Sequence, residues 1–347
     1  MSKKTIFSGI QPSGNLHLGN YLGAVKNWVE LQEEYTSIFC VVDLHAITIP
    51  QEPKFLRKKT IEIAKTYLAA GIDSEKSTLF VQSHIPQHTE LMWILNTITK
   101  ISELEKMTQY KDKARRGIKK WKNDKGEEIK RKVISKEEYT SAGLLNYPIL
   151  MAADILLYNT EVVPVGEDQV QHIEIARDLA KRFNHKFGET FTIPKAFLKE
   201  EGMRIMGLDD PTKKMSKSAD SKYNRIELLD SPEEIKEKFM KAVTDSGSNI
   251  EYSDDRPALK NLINIFSSVT EKSTEEIASE YKDKGYKELK ESLTDAVIEF
   301  LKPFQEKYNE LQDEDVLKIL NQGAKKLEPI AQAKIKEVKE KVGFIIN

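Results

Sequence analysis

Short apolar runs alternate with amphipathic stretches through the first half of this chain, and that alternation limits the possible fold more than any other feature. Residues 5–10 (TIFSGI), 37–42 (SIFCVV), 77–82 (STLFVQ) and 161–165 (EVVPV) read as strands. They are short, apolar and bounded by turn signals such as Gln11-Pro12-Ser13-Gly14. Residues 18–33, 54–70, 89–107, 147–158 and 168–183 carry helical periodicity between and after them. Strands separated by helices imply an α/β fold: a parallel sheet with helices on both faces. Ligands in such sheets bind at the carboxyl ends of the strands.

The pattern changes near residue 231. Ser231-Pro232-Glu233-Glu234 has the makings of a helix start, with a cap, proline at the first position and acids in the first turn. Asp245 to Gly247 should break that helix. Further helical segments are expected over 261–268, 274–281, 286–309, 314–320 and 324–342, the last two parted by Asn321-Gln322-Gly323. This half reads as all-helical and highly charged. The polar, lysine-rich residues 207–223 between the halves read as a mobile connector. A length of 347 residues suits such a two-domain plan.

Composition closes off several functions. The one cysteine, Cys40, rules out an intramolecular disulfide and leaves cysteine-based zinc or iron–sulfur sites without ligands. Such usage fits a reducing, cytoplasmic setting. No run approaches the length of a membrane span, and the start MSKKTIFSGI lacks the apolar core of a signal peptide. Lys and Arg total 54 against 55 Asp and Glu, so a nucleic-acid partner needs local basic patches. One such patch lies between Lys113 and Glu138, where ten Lys and Arg face four acids and Asn123-Asp124-Lys125-Gly126 resembles a hairpin tip. It reads either as a solvated surface excursion or as an RNA-facing element with Trp121 available for stacking.

Two short segments carry chemistry. Residues 9–20 (GIQPSGNLHLGN) follow the first strand and open the first helix. A helix start presents free N–H groups and a positive dipole end, which suits phosphate. His17 and Asn20, three apart, can both donate to phosphate oxygens. Gly19 leaves room for a nucleotide to approach the backbone. A glycine-rich turn with an incidental histidine is the plainer alternative. In the connector, Lys213-Lys214-Met215-Ser216-Lys217-Ser218 offers three lysines and two hydroxyls. These can wrap a polyphosphate and follow charge as it develops on a leaving pyrophosphate. The alternative is a solvated lysine-rich loop.

Together the two segments resemble the paired signatures of class I aminoacyl-tRNA synthetases, the first as His17-Leu18-Gly19-Asn20 and the second as 214–218 (KMSKS). Segments 5–14, 43–48 (DLHAIT), 103–113 (ELEKMTQYKDK), 147–158 (YPILMAADILLY), 163–169 (VPVGEDQ), 210–218 (DPTKKMSKS) and 242–246 (AVTDS) are similar to the bacterial tryptophanyl-tRNA synthetases. The likeness covers nearly the whole chain except the basic insertion. A physical check agrees with it. Indole has a single polar atom, an N–H donor, so its pocket needs one acceptor in an apolar wall. Asp154, inside the apolar run 151–157 (MAADILL), is such an acceptor and would be costly to bury without a partner. An exposed stripe of that helix is the other place for it.

The resemblance implies roles for further residues. Phe7, Met151, Val163 and Val165 would line the indole pocket, with Gly9 and His45 nearby and Gln169 holding the amino-acid end. Gly166 and Asp168 would approach the ATP ribose, although Asp168 also suits a helix N-cap. Gln11, His17, Gly19 and Asn20 would hold the nucleotide, flanked by Pro12, Ser13, Glu167, Met215 and Ser218. Lys113 and Lys111 are candidates for reaching the phosphates. Lys214, Ser216 and Lys217, with His17 and Asn20, would act on the transition state. His84 and His88 invite a metal reading, but Pro86 between them and the lack of a third ligand argue against it.

The expected architecture is a Rossmann-type catalytic domain over residues 1–206 with the basic insertion at about 114–138. The KMSKS connector loop (207–223) and a helical tRNA anticodon-binding domain (224–347) follow, the last helix packing back on the first domain. The implied substrates are L-tryptophan, ATP with Mg²⁺, and tRNA(Trp), on a homodimer with no membrane partner. A tyrosyl-tRNA synthetase, a non-catalytic RNA-binding relative and a small-molecule nucleotidyltransferase remain as alternatives at this point.

Overall fold

The computed structural model describes residues 3–108, 110–111, 121–122, 128–129, 141–198, 204–217, 219–245, 247, 249–270 and 272–346. At its centre is a sheet of β1 (Thr5–Ile10), β2 (Thr36–Val41), β3 (Thr78–Val81), β4 (Val162–Pro164) and β5 (Lys195–Phe197). The strand order is β3-β2-β1-β4-β5, and every pairing is parallel. Residues 37–41 of β2 are all buried, as expected of a strand covered on both faces. The first four strands lie where the apolar runs placed them. β5, three residues long, is too short to show a period and was not anticipated.

The helices show why local pattern is only part of the answer. The stretch 18–33 is not one regular helix: α1 (Leu18–Asn20) passes through a π-helical turn (Tyr21–Val25) into α2 (Lys26–Glu34). α3 (Asp43–Ala46) is a single turn at the end of β2. α4 (Pro53–Ala69) has proline at its start and the Glu52 carboxylate accepting from the Phe55 N–H. The expected helix over 89–107 is split into α5 (Gln87–Asn96) and α6 (Ile101–Leu104). α7 (Ala142–Leu156) is capped by Ser141 and keeps Pro148 in its interior; α8 (Val170–Phe187) follows β4.

The second half is helical as expected. α9 (Pro232–Lys241) opens with a reciprocal capping box between Ser231 and Glu234 and ends before Asp245. α10 (Pro257–Thr270), α11 (Thr274–Tyr281) and α12 (Tyr286–Glu310) come next. The last two expected helices are one: α13 runs unbroken over Asp313–Val342. Gly323 does not stop it. A Cβ there would stand 2.0 Å from the Leu79 carbonyl oxygen, so this glycine lets α13 press against β3, the edge strand of the sheet. Ala324, Leu327, Ala331, Ile335 and Val338 of α13 join the core that holds Phe80, Ile85 and Leu91.

A second core cluster crosses from the sheet into the helical half, joining Ile6, Leu18, Phe39 and Leu79 to Ile226, Phe239, Leu259 and Leu289. The stretch after residue 204 is built into this body. Gly207 N–H donates to the Lys213 carbonyl at 2.8 Å and Met215 N–H to that of Ile205 at 3.2 Å, a tight hairpin. The Asn261 side chain of α10 grips Met206 through its N–H (2.8 Å) and carbonyl (3.0 Å). In the basic stretch, Trp121–Lys122 and Glu128–Ile129 pair antiparallel on either side of the expected hairpin tip. The tip and the rest of that stretch, with Lys113, lie outside the described residues. Among the described residues no helix is long and apolar enough to cross a membrane.

Candidate active site

Strand order reverses between β1 and β4, and their carboxyl ends open over a cleft of about 450 Å³. Such a reversal is where open α/β sheets take their ligands, and the volume suits a small molecule. Phe7, Val42, Met151, Val163 and Val165 supply its apolar walls. Gly9, Gln11, His45, Asp154, Gly166 and Gln169 also line it, so ten of the residues singled out in the sequence converge here from β1, α3, α7, β4 and the loops that follow.

Asp154 is almost wholly buried (1% exposed) at the floor of this cleft, not on an exposed stripe. Three side chains already meet its carboxylate. Gln82 Nε2 donates to Oδ1 at 2.7 Å, His88 Nδ1 lies 2.6 Å from the same oxygen, and His45 Nε2 lies 2.9 Å from Oδ2. Burial pushes the carboxyl pKa up, but the hydrogen bonds and fields of His45 and His88 outweigh it and hold the group well below the usual carboxylate range. Asp154 is therefore an anion that only accepts. A carboxylate offers about four lone-pair positions, and three donors leave one on Oδ2. A ligand N–H would thus be a fourth partner.

His88, weighed in the sequence only as a metal ligand, is fully buried behind Asp154. Its Nε2 lies 2.8 Å from the Tyr158 hydroxyl, and Tyr158 in turn stacks on Phe7 with ring centroids 6.0 Å apart. Gln82, His88 and Tyr158 were missed as site residues, and so was Tyr147, which lines the cleft and bonds His172 Nε2 at 2.8 Å. The available signal was polar groups at the ends of apolar runs: Gln82 closes STLFVQ and Tyr158 closes MAADILLY.

The first signature also builds its own helix start. His17 Nδ1 accepts the Asn20 N–H at 3.2 Å, and Asn20 Oδ1 accepts the His17 N–H at 3.3 Å. The pair caps α1 reciprocally through its acceptor atoms. The open side of Gly19 is taken by the His17 ring, 3.2 Å from where a Cβ would stand. Burial, with the charges of Lys217, Arg225 and Lys214, pushes the His17 pKa down to about 3. The ring is neutral at physiological pH, and with Nδ1 accepting, its proton sits on Nε2, a donor.

The second signature lies against the first. Leu18 N–H donates to the Ile226 carbonyl at 2.8 Å, and Leu228 N–H to the Leu16 carbonyl at 3.0 Å, so the chain after KMSKS pairs with the chain before α1. Ser216 N–H donates to Asn224 Oδ1 at 3.0 Å. Half-buried Lys217 lies over the Gly14 turn, and its pKa falls to about 8 through desolvation and the charge of Lys59. Lys214 is exposed on the same hairpin. The Met215 side chain is not free to meet a nucleotide; it is buried in the core and anchors the loop. Pro12 and Ser13 lie in the turn after β1, where Ser13 N–H donates to the Gln11 carbonyl at 2.8 Å. Glu167 and Asp168 lie in a 3₁₀ turn (Glu167–Gln169) beside the cleft, and the cap position of α8 is Gln169, not Asp168. Ser218 and Lys113 fall outside the described residues.

The whole arrangement has counterparts among known proteins. A family model described as tRNA synthetases class I (W and Y) matches residues 2–302. The chain is 48% identical to the tryptophan–tRNA ligase of Clostridium tetani over 348 positions, spanning 100% of this chain and 97% of that protein. It is 50% identical to the tryptophan–tRNA ligase of Wolinella succinogenes, spanning 99% and 100%. The tryptophanyl-tRNA synthetase of Campylobacter jejuni, solved with ADP and tryptophan, is similar with a TM-score of 0.83 at 36% identity, covering 98% of this chain and 100% of that one.

Proposed function

The chain belongs to the class I tRNA synthetases for tryptophan and tyrosine and works as a tryptophan–tRNA ligase; from that premise we propose how its residues divide the chemistry. L-tryptophan lies in the cleft with its indole between Phe7, Met151, Val163 and Val165 and its N–H on Asp154 Oδ2. His45 and Gly9 bound the indole, and Gln169 takes the amino-acid end. Gly166, Glu167, Asp168 and Gln11 hold the nucleotide from one side, and Pro12, Ser13, Gly19 and Asn20 from the other. Mg²⁺ arrives with ATP as part of that substrate.

The tryptophan carboxylate attacks the α-phosphorus of ATP, giving tryptophanyl-adenylate and pyrophosphate. A terminal-ribose hydroxyl of tRNA(Trp), the 2′-OH, then attacks the adenylate carbonyl. No side chain becomes covalently attached, so catalysis is positioning plus charge stabilisation. His17 donates from Nε2 to a phosphate oxygen. Lys214, Ser216, Lys217 and Ser218 follow the charge that builds on the leaving pyrophosphate, and Lys113 reaches the phosphates. The backbone pairing between 16–18 and 226–228 ties the position of the lysine loop to that of the first signature.

The working division is a Rossmann-type catalytic domain (1–206), the connector loop (207–223) and a helical anticodon-binding domain (224–347). The unit is a cytoplasmic homodimer with tRNA crossing both subunits. The basic stretch at 114–138 touches the tRNA backbone. Deleting it should weaken tRNA binding and flatten its salt dependence; unchanged charging at every salt concentration would remove that role.

The observation that carries the tryptophan assignment is the single acceptor position left on a buried carboxylate in an apolar cleft. ATP–pyrophosphate exchange across the twenty amino acids, without tRNA, tests it. Exchange with tryptophan alone is expected; exchange with tyrosine instead would overturn the pocket assignment.

A further inference from the structure

The cleft is selective only if Asp154 presents the same single acceptor every time, and the groups behind it decide that. We propose that His88 and Tyr158 are positioning residues for tryptophan selection: by filling Oδ1 they leave Oδ2 as the one oxygen the indole N–H can use. This rests on the Asp154 assignment above and extends it to two side chains that line no part of the cleft.

The geometry is a chain of three groups. The Tyr158 hydroxyl stands 2.8 Å from His88 Nε2. The Asp154 carboxylate only accepts, so His88 Nδ1, 2.6 Å from Oδ1, carries a proton and donates it. Gln82 Nε2 donates to the same oxygen at 2.7 Å, so Oδ1 is saturated. His45 meets the other oxygen, Oδ2, and lines the cleft. A carboxylate held this way can neither rotate nor pick up a proton cheaply, because both changes strip a buried donor of its partner. The orientation of His88 is itself fixed: its ring stacks on Phe80 at 5.8 Å and meets Tyr158 edge-on at 5.5 Å. The same tyrosine forms part of the pocket's support through Phe7. One residue therefore reaches both the apolar wall and the polar floor.

A merely structural pair would lower all activity together. A positioning pair should change the choice between substrates that differ only in the N–H. The probe is the benzothiophene analogue of tryptophan, in which sulfur replaces the indole nitrogen and no donor remains. kcat/KM for tryptophan and for this analogue are compared in pyrophosphate exchange for the wild type, Tyr158→Phe, His88→Phe and His88→Asn. The wild type should prefer tryptophan by about 10²-fold. Tyr158→Phe keeps the ring that packs on Phe7 and should shrink the preference several-fold, through the KM for tryptophan, with the KM for ATP unchanged. His88→Phe should shrink it to about ten-fold or less. His88→Asn, whose side-chain amide can replace the Nδ1 donor, should restore most of it.

Equal losses for both substrates in Tyr158→Phe and His88→Phe would overturn the proposal and leave the pair as packing. A wild type that does not distinguish the two substrates would overturn the Asp154 assignment as well. A wild type that does, with variants that keep its full preference, would overturn the positioning role alone.

Discussion

The cleft proposed for tryptophan and the loops proposed for phosphate are each held in a different way. In the cleft, a buried acid is matched by donors from three elements before any substrate is present. On the phosphate side, Lys217 is desolvated beside another cation, and among the described residues no acid pairs with it. One group has its charge settled; the other carries a charge that an incoming anion would settle. On the proposed division of the chemistry, the contrast follows from the two tasks. Choosing indole over other rings needs one acceptor in one place, so the acceptor is over-determined. Stabilising a leaving pyrophosphate needs positive charge that becomes more favourable as negative charge develops. Supports differ accordingly: side-chain hydrogen bonds inside the core for Asp154, backbone pairing between loop segments for the lysine hairpin.

If the contrast is right, damage to each side should be separable. The largest effect is expected from Lys217→Ala. Loss of a charge that acts on the transition state should slow adenylate formation by about 10³-fold, while tryptophan binding measured by equilibrium titration stays near the wild-type value. Equal losses in both would merge the two regions into one. Next is Asp154→Asn. The amide brings two donors into a nest of three and loses an acceptor, so kcat/KM for tryptophan should fall by about 10²-fold, with the KM for ATP unmoved. A shift in the ATP constant of similar size would show that the cleft and the loops are not independent.

The smallest effect sharpens the electrostatic half of the comparison. Lys217, lowered to about 8 in the free enzyme, loses its charge as pH rises through that value. kcat/KM for ATP reports free-enzyme groups, so it should decline above pH 8, by roughly ten-fold near pH 9. His17, lowered to about 3, contributes no change across that range because it is neutral throughout. Lys217→Arg should flatten the decline, since a guanidinium does not titrate there. A profile that falls equally in the arginine variant would assign the decline to another group.

Much of the candidate site's make-up was legible in the sequence because its parts are local. The turn after β1, the lysine-rich hairpin and the apolar run around Asp154 are each contiguous, and each can be read from neighbouring residues. Errors arose where a local rule met a distant contact. Gly323 reads as a helix stop, but it lies inside α13 because the Leu79 carbonyl leaves no space for a side chain. Met215 reads as part of a nucleotide loop, but the core takes its side chain. His88 reads as a weak metal candidate, because nothing near it in the chain announces a carboxylate sixty-six positions away.

The sequence by itself determined the alternation of strands and helices, the helix start at Ser231, and the two short signature segments. All of these depend on periodicity, capping and composition within a few residues. Only the tertiary structure decided that α13 runs unbroken through Gly323 against β3, that segment 226–228 pairs with 16–18, and that Gln82, His88 and His45 meet on Asp154. The reason is physical. A buried polar group must find partners in space, and which ones it finds is set by how the sheet and its helices pack, not by order along the chain.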